Sequence, residues 1–311
     1  MNNRVAIVVA SVDSWIDAGP SVLRVAEEVQ GRGEVILVGT CETGDSLRGV
    51  PSIRILKRPS GMLAPELWRD GLLASDAAFV AFSTTAMIPD PGWLDAMLAR
   101  WEETGAAGIG GPILTARDLS PSDRAVYLLR YLNYYNLSPS MIEPPGDNAL
   151  YQRNLLEGLE ALIDRGFWEY EIHRGLRARG EILSIAENAQ VSYRGRGRLW
   201  PTLCQRARHA AIYGQMRSTS TSTIKKLART GAAMLVPALL LLRVVALMKR
   251  NRMEMRPWFV ALPSFVLLST AWAAGEATGQ WWPLKRSASP DRPQAVMSVQ
   301  AEAQTSECIH Q

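Results

Sequence analysis

From residue 4 to residue 115, short runs rich in Val and Ile alternate with stretches of helical spacing, and that alternation restricts the fold more than any other feature. Residues 4–10, 35–38, 52–56, 78–82 and 109–114 read as strands. Between them, residues 21–30 place Val22, Val25 and Val29 on one side, residues 64–74 are helical, and residues 91–103 have Trp93, Leu94, Met97, Leu98 and Trp101 as an apolar side. Strands separated by helices need crossover connections. The expected fold class is therefore α/β, a Rossmann-like, mostly parallel sheet with helices on both faces. Ligands on such sheets bind at the carboxyl ends of the strands.

Residues 116–166 are less regular. Residues 124–135 hold a dense aromatic group, Tyr127, Tyr131, Tyr134 and Tyr135, suited to core packing or to an acceptor-contacting surface. Residues 168–180 read as a helix closed by Gly180. Two apolar stretches follow, at about 232–248 and 258–274, each near the lower length limit of a membrane span. Arg243 interrupts the first, and Trp258, Trp281 and Trp282 flank the second, as indoles do at a membrane interface. Lys225, Lys226 and Arg229 precede the first stretch, while Lys249, Arg250, Arg252 and Arg256 lie between the two. Positive charge on both sides draws both toward the cytoplasm. Either the loop crosses despite its charge, or the hairpin is re-entrant or lies in the interface. The last stretch, from about 287 to 311, is rich in Ser, Gln, Ala and Pro and reads as a disordered tail. The expected organisation is an α/β domain over 1–222, a membrane-associated helical hairpin over 223–284, and a tail over 285–311.

Charge and cysteine content exclude several classes. The net charge of +4 is too small for a dedicated nucleic-acid binder, so no nucleic-acid partner is expected. The basic residues cluster at 194–256, beside the apolar stretches, which favours a surface of anionic lipid. Cys41, Cys204 and Cys308 lack the spacing of a zinc site or a disulfide framework, which fits a reducing compartment. The first apolar run is short and is followed by Asp13, so it reads as a buried strand rather than a signal peptide. A soluble dinucleotide-binding dehydrogenase would carry a glycine fingerprint that is missing here.

Several segments have a recurring order: VAIVVASVDSW, EVILVGTCETGD, ELWRDGLLAS, AFVAFSTTAMIPDPGWLDAML, GIGGPI, GDNALYQRNLL and GFWEYEIHRGLRARG. Over roughly residues 4–215 this series resembles the family 2 glycosyltransferases. QRARHAAIYG, LVPALLLLR and AWAAGEATG resemble the membrane-associated bacterial members. The resemblance implies a GT-A-like fold, a nucleotide-sugar donor, a lipid-linked or membrane-proximal glycan acceptor, inverting transfer, and a role in polysaccharide biosynthesis. It also implies attachment to the cell inner membrane with the catalytic domain in the cytoplasm.

Such a transfer needs a base for the acceptor hydroxyl, positive charge at the departing diphosphate, and a donor held in line. Aligning the end of GFWEYEIHRGLRARG on Leu176 and Gly180 places Glu169 at the position of the base, with Trp168 where a first acidic residue is usual. Glu171 is the alternative acid; both glutamates would also suit a helix N-terminus. His173, one turn after Glu169, fits either orientation of that carboxylate or an ordinary satisfied histidine. Ser11, Asp13, Thr40, Thr84 and Thr85 are the expected donor-binding residues. Asn148, Glu171, Arg206, Arg208 and His209 are those expected at the acceptor or diphosphate. Family members hold a divalent cation (Mg or Mn) with an Asp-x-Asp motif, but the matching positions here are Thr84, Thr85 and Ala86. Hydroxyls are poor ligands for a hard cation. Asp90 is nearby and reads as a turn or cap residue. Two readings stay open: basic residues take the leaving-group charge, or the protein binds donor or partner as a non-catalytic scaffold in a glycan-assembly complex. Arg194, Arg196 and Arg198 alternate with Gly195 and Gly197 in a basic loop suited to phosphate or lipid.

Overall fold

The computed structural model describes residues 4–12, 17–40, 47, 50, 52–116, 118–137, 143–195, 197–218 and 222–282, with the side chain of Met234 left aside. The expected tail lies outside these residues. Strands β1 (Val5–Ser11), β2 (Gly33–Gly39), β3 (Ile53–Lys57) and β4 (Phe79–Thr84) fall where the apolar runs place them. Helices α1 (Gly19–Val29), α2 (Ala64–Leu73) and α3 (Trp93–Thr104) connect them or follow them. A seven-stranded sheet runs in the order β3-β2-β1-β4-β8-β6-β9, where β6 is Gly108–Gly110, β8 is Ala149–Gln152 and β9 is Leu183–Ile185. The pairings are parallel except at β8, which runs antiparallel to both β4 and β6. The strand order reverses direction at β1 and β4, so the crevice for a ligand opens at their carboxyl ends.

Register distributes side chains to two cores. Val5, Ile7 and Val9 join one cluster with Val22, Val25 and Leu94, while Ala6, Val8 and Ala10 join another with Leu67 and Trp68. Each valine, isoleucine or leucine among them contributes roughly 1.5–3 kcal/mol by leaving water. α2 presses onto β1 so closely that a Cβ on Gly71 would lie 2.2 Å from Val8 Cγ1.

The expected single strand over 109–114 is corrected. β6 ends at Gly110 in the large sheet, and β7 (Ile113–Thr115) belongs to a separate sheet in the order β5-β10-β7, with β5 at Met87–Pro89 and β10 at Val191–Tyr193. The reason is a close backbone crossing: a Cβ on Gly111 would sit 1.9 Å from the Ala189 carbonyl oxygen. Glycine at that point lets the chain leave one sheet for the other.

Helix α4 (Pro121–Arg130) starts on Ser120, whose Oγ accepts from the Asp123 N–H at 3.2 Å, with proline in its first turn. A short α5 (Glu160–Ile163) leads to α6 (Glu169–Ala178). The chain ends its described part with α7 (Leu199–Ser218), α8 (Thr223–Ala232), α9 (Val236–Arg250) and α10 (Leu262–Trp281). A 3-10 turn at Arg256–Ala261 leads into α10, and together Arg256–Trp281 form 26 helical residues whose most apolar window has mean hydropathy 1.5 and is 33% buried. At this length the segment spans roughly 40 Å, enough to cross a hydrocarbon core by length alone. α8 and α9 meet at a 63° bend. The apolar helices are tied to the rest of the molecule. Val244, Met248, Phe265 and Leu268 share the core that holds β1 and α1, and Trp258 stacks on Tyr127 at 5.7 Å. The tightest seam is α7 on α10, where Cβ atoms on Gly275 and Gly279 would lie 2.2 and 1.9 Å from the carbonyl oxygens of Ala207 and Ala211. Small residues at such spacing let two backbones touch.

Candidate active site

Glu169 opens α6, directly after Trp168, whose extended backbone turns the chain into the helix. Its carboxylate rests against the backbone of Gly146: a Cβ there would fall 2.4 Å from Glu169 Oε2. Gly146 belongs to a single 3-10 turn, Gly146–Asn148, immediately before β8. That turn is fixed by Asn148, which is fully buried. The Asn148 amide nitrogen donates to the carbonyls of Pro112 (3.1 Å) and Ala189 (2.9 Å), and its Oδ1 accepts from Trp93 Nε1 at 2.6 Å. Asn148, expected at the acceptor or diphosphate, is buried here, and both its amide hydrogens go to holding the turn. The adjacent Asp147 is buried close enough to Glu169 to act on its charge, and it accepts two hydrogen bonds from Arg130, Nε and Nη2, each of 3.0 Å.

Charge is concentrated here. Burial pushes the Glu169 carboxyl upward from its ordinary pKa; Arg130 opposes the rise and Asp147 adds to it. Burial would discharge Arg130, but Asp147 overrides this and holds the guanidinium charged above its usual range. A carboxylate with a raised pKa is a stronger base than one in water. Beneath Glu169, Tyr151 Oη lies 2.7 Å from His173 Nε2, and His173 Nδ1 lies 3.0 Å from Glu143, which also accepts from Arg177 at 2.6 Å. An ionised carboxylate only accepts, so Nδ1 carries the hydrogen and Nε2 accepts from Tyr151. The His173 hydrogen bond holds Glu143 at a pKa of about 2. His173 is thus a satisfied buried histidine.

Three cavities adjoin one another across the carboxyl end of the sheet. The first, about 280 Å³, lies between Thr40, Ser60–Leu63 and the α7 residues Cys204, Gln205 and Arg208. It shares Val12, Leu63 and Gln205 with a constriction of about 30 Å³, which also meets Arg130, Arg206 and His209. Those three residues continue into a cleft of about 490 Å³ that includes Glu169, Tyr213, Arg217, Leu240, Arg243 and Trp272. The trough therefore begins at the ends of β1 and β2, passes under α7 and reaches Glu169, then ends against the apolar helices. At its start, Gly39 has φ +142°, and a Cβ there would lie 2.0 Å from the Ser11 carbonyl oxygen. Only glycine permits that approach of β2 to β1.

The sequence-predicted residues divide along this trough. Thr40 lines its first cavity, and Arg206 and His209 line its middle. Arg208 sits at the first cavity, away from Glu169, and reaches toward Glu66 at 3.7 Å. α7 thus turns this residue, expected at the acceptor or diphosphate, to the end of the trough opposite Glu169. Ser11, Thr84 and Thr85 are buried at the strand ends and line none of the three cavities; among the described residues Ser11 Oγ and Thr84 Oγ1 have no hydrogen-bond partner. Asp13 lies outside the described residues. Glu171 lies 3.6 Å from Arg165 and lines none of the cavities, so of the two glutamates only Glu169 faces the trough. Asp90 does not cap α3 with its side chain; Glu28 of α1 accepts from the N–H groups of Gly92 and Leu94, both at 3.1 Å. In the basic loop, Gly197 donates to Asp123 and Arg196 lies outside the described residues.

The positions matched to a metal motif do not suit a divalent cation. Thr84 and Thr85 are each 2% exposed, and Ala86 is 1% exposed. The carbonyls of Thr84 and Met87 accept from Ser21 Oγ, and the Thr85 N–H is bonded to Ala10. This segment offers no carboxylate, and its backbone is committed to the sheet and α1. Among the described residues no group of His, Cys, Asp and Glu is arranged to hold a metal.

Sequence reasoning missed Arg130, Asp147, Gly146 and Trp272. Arg206 lies 4.6 Å from the Trp272 ring centre, and His209 lies between Trp168 (5.0 Å) and Trp272 (5.7 Å). These pairings join segments far apart in the chain, so no local pattern announces them.

No family model matches the sequence, and no similar protein was found among curated ones. A similar solved structure is the mannosyltransferase PcManGT from Pyrobaculum calidifontis in complex with GDP-Man and Mn2+. It is 13% identical, with 89% of this chain and 87% of that chain covered and a TM-score of 0.50. At that identity the likeness speaks for the fold alone: the chain has a GT-A-like α/β architecture, with an apolar helix toward the end of its described part.

Proposed function

We propose that this protein is a membrane-associated glycosyltransferase that moves a sugar from a nucleotide-sugar to a lipid-linked or membrane-proximal acceptor with inversion. The observation that carries this reading is the trough, which runs from a cavity at the ends of β1 and β2, through a constriction, to a cleft that holds Glu169 and is bounded by apolar helices. The nucleoside occupies the cavity beside Thr40, the diphosphate passes the constriction, and the sugar reaches Glu169. The acceptor enters from the side of α9 and α10. Glu169 removes the proton of the acceptor hydroxyl, whose oxygen bonds to the anomeric carbon. The bond from that carbon to the diphosphate oxygen breaks, and the electron pair leaves with the nucleoside diphosphate. Arg130 and Asp147 position the carboxylate and keep its environment polar while burial raises its basicity.

Attachment to the inner membrane, with residues 1–222 in the cytoplasm and residues 223–284 at the bilayer, is part of the same proposal. It is supported by exposed Leu235 just before α9, Leu239 and Leu242 on α9, and Phe259, Val266 and Leu267 on the 256–281 segment, and by the apolar length of that segment. α8 exposes Ile224 and Leu227 beside Lys225, Lys226 and Arg229, a pattern that suits a helix lying in the interface.

The test is turnover of a nucleotide-sugar panel by detergent-purified protein with membrane lipid extract. Transfer of labelled sugar to the lipid fraction is expected. Binding of donor without transfer, across extracts that serve other transferases, favours the scaffold reading that the absent carboxylates at Thr84–Ala86 support.

A further inference from the structure

A short segment lies across Glu169 and decides where its carboxylate can stand. At residue 146 the segment's backbone presses on the first turn of α6: a Cβ on Gly146 would fall 2.4 Å from Glu169 Oε2 and 3.3 Å from Glu169 Cβ. Just before it, Pro144 and Pro145 carry no N–H with which to tie this stretch to a neighbour. They rest instead on the bare face of Gly110 in β6, where a Cβ would lie 2.5 Å from Pro144 and 2.8 Å from Pro145. The far end of the segment is held by the buried Asn148 and by Asp147 on Arg130. Its near end is held by Glu143.

Glu169, His173 and Arg177 follow one another at one-turn spacing and so share a face of α6. The Glu143 carboxylate bridges the second and third of them, accepting from His173 Nδ1 at 3.0 Å and from Arg177 Nη1 at 2.6 Å. His173 is 1% exposed and takes the hydroxyl hydrogen of Tyr151 in β8 at 2.7 Å. These contacts close a ring: the segment leads into β8, Tyr151 reaches His173, and His173 returns to Glu143. The ring serves placement more than stability, because the Glu143 side chain is 47% exposed and ion pairs so open to water add little to folding. With a pKa of about 2, Glu143 stays ionised at any working pH, so its grip is permanent.

We propose that Glu143 is a positioning residue for the base: by gripping His173 and Arg177 it fastens residues 143–146 along α6 and keeps the Glu169 carboxylate dry and aimed into the cleft. The proposal rests on the transferase reading of Glu169. Without the grip the segment lifts, water reaches the carboxylate, and the upward pKa shift that burial gives Glu169 is lost.

The test is initial-rate sugar transfer as a function of pH by the full chain in detergent with membrane lipid extract, beside a thermal melt of each variant. Glu143→Ala is expected to lower kcat roughly 10-fold to 100-fold, the scale of a misplacement of about an ångström, with donor KM within about twofold of the parent. Glu143→Gln keeps an acceptor for His173 but loses the charge for Arg177, so its kcat should fall between alanine and parent. In both variants the acid limb of the kcat profile should move to lower pH, because a wetted Glu169 ionises more readily. A smaller amount of folded protein would lower the rate equally at every pH, so a fall with an unmoved acid limb overturns the proposal. A Glu143→Ala protein with kcat within about twofold of the parent also overturns it and leaves the transferase reading in place. A parent protein that transfers no sugar from any donor overturns both.

Discussion

Replacing Gly279 by alanine tests the seam between α7 and α10 with a single methyl group. The added Cβ would lie 1.9 Å from the Ala211 carbonyl oxygen, a backbone atom that cannot rotate away. A tolerable C···O contact is about 3.3 Å, so the two helices must part by about 1.4 Å. Overpacking of this kind typically costs about 1–3 kcal/mol. In a chain of this size that corresponds to a fall in Tm of roughly 1.5–5 °C. The separation also draws Trp272 from Arg206 and His209, so affinity for a nucleoside diphosphate should drop with the Tm. Gly231→Ala is the control. Gly231 lies in α8 with nothing within 4 Å of its Cβ position, so alanine there should be neutral or add about 0.5–1 kcal/mol to helix stability. Tryptophan fluorescence melts in detergent read the stability, and calorimetry reads the affinity. A Gly279→Ala protein that melts within 1 °C of the parent and binds nucleotide normally would refute the close-packed seam.

Three further outcomes follow from the site. Glu169 has its pKa raised by burial, so its contribution to stability is full below the unfolded carboxyl pKa and is lost as pH rises through the folded value; Glu169→Gln should therefore melt higher than the parent at pH 8, with the difference shrinking in acid, as a pH series of melts would record. Gly146→Ala places a methyl group 2.4 Å from Glu169 Oε2, so kcat should fall at least tenfold with nucleotide affinity little changed, as initial-rate kinetics and calorimetry would show. Arg243 faces the cleft from the middle of an apolar helix, so Arg243→Leu should raise the KM for a lipid-linked acceptor severalfold and leave donor KM unchanged in a vesicle assay.

Much of the fold can be read from the chain because its first strands are continuous apolar runs and its first helices have clear apolar faces. β1 to β4 and α1 to α3 follow that pattern to within a few residues. Reading fails where a distant contact decides. Residues 109–114 look continuous, yet Gly111 crosses Ala189 and the chain changes sheets. Likewise, β8 is short and antiparallel, and its four residues carry no strong period. At the site, GDN draws attention to Asn148, but Asn148 is bound internally and its neighbour Asp147 meets Arg130. Trp93, in the PDPGWL segment, matters because it donates to Asn148 across 55 positions of sequence. His173 is satisfied by Tyr151 and Glu143, partners that helical spacing cannot disclose. Small residues in QRARHAAIYG and AWAAGEATG are visible in the sequence, but their role as a backbone-to-backbone seam emerges only when the two helices are brought together.

The most direct test of the central claim is the single-turnover rate of sugar transfer by Glu169→Gln, with donor bound beforehand and acceptor lipid added last. The account predicts a rate lowered by roughly 10²-fold to 10⁴-fold with donor affinity unchanged, the range for loss of a positioned general base. A rate within threefold of the parent would remove Glu169 from the chemistry and contradict the account.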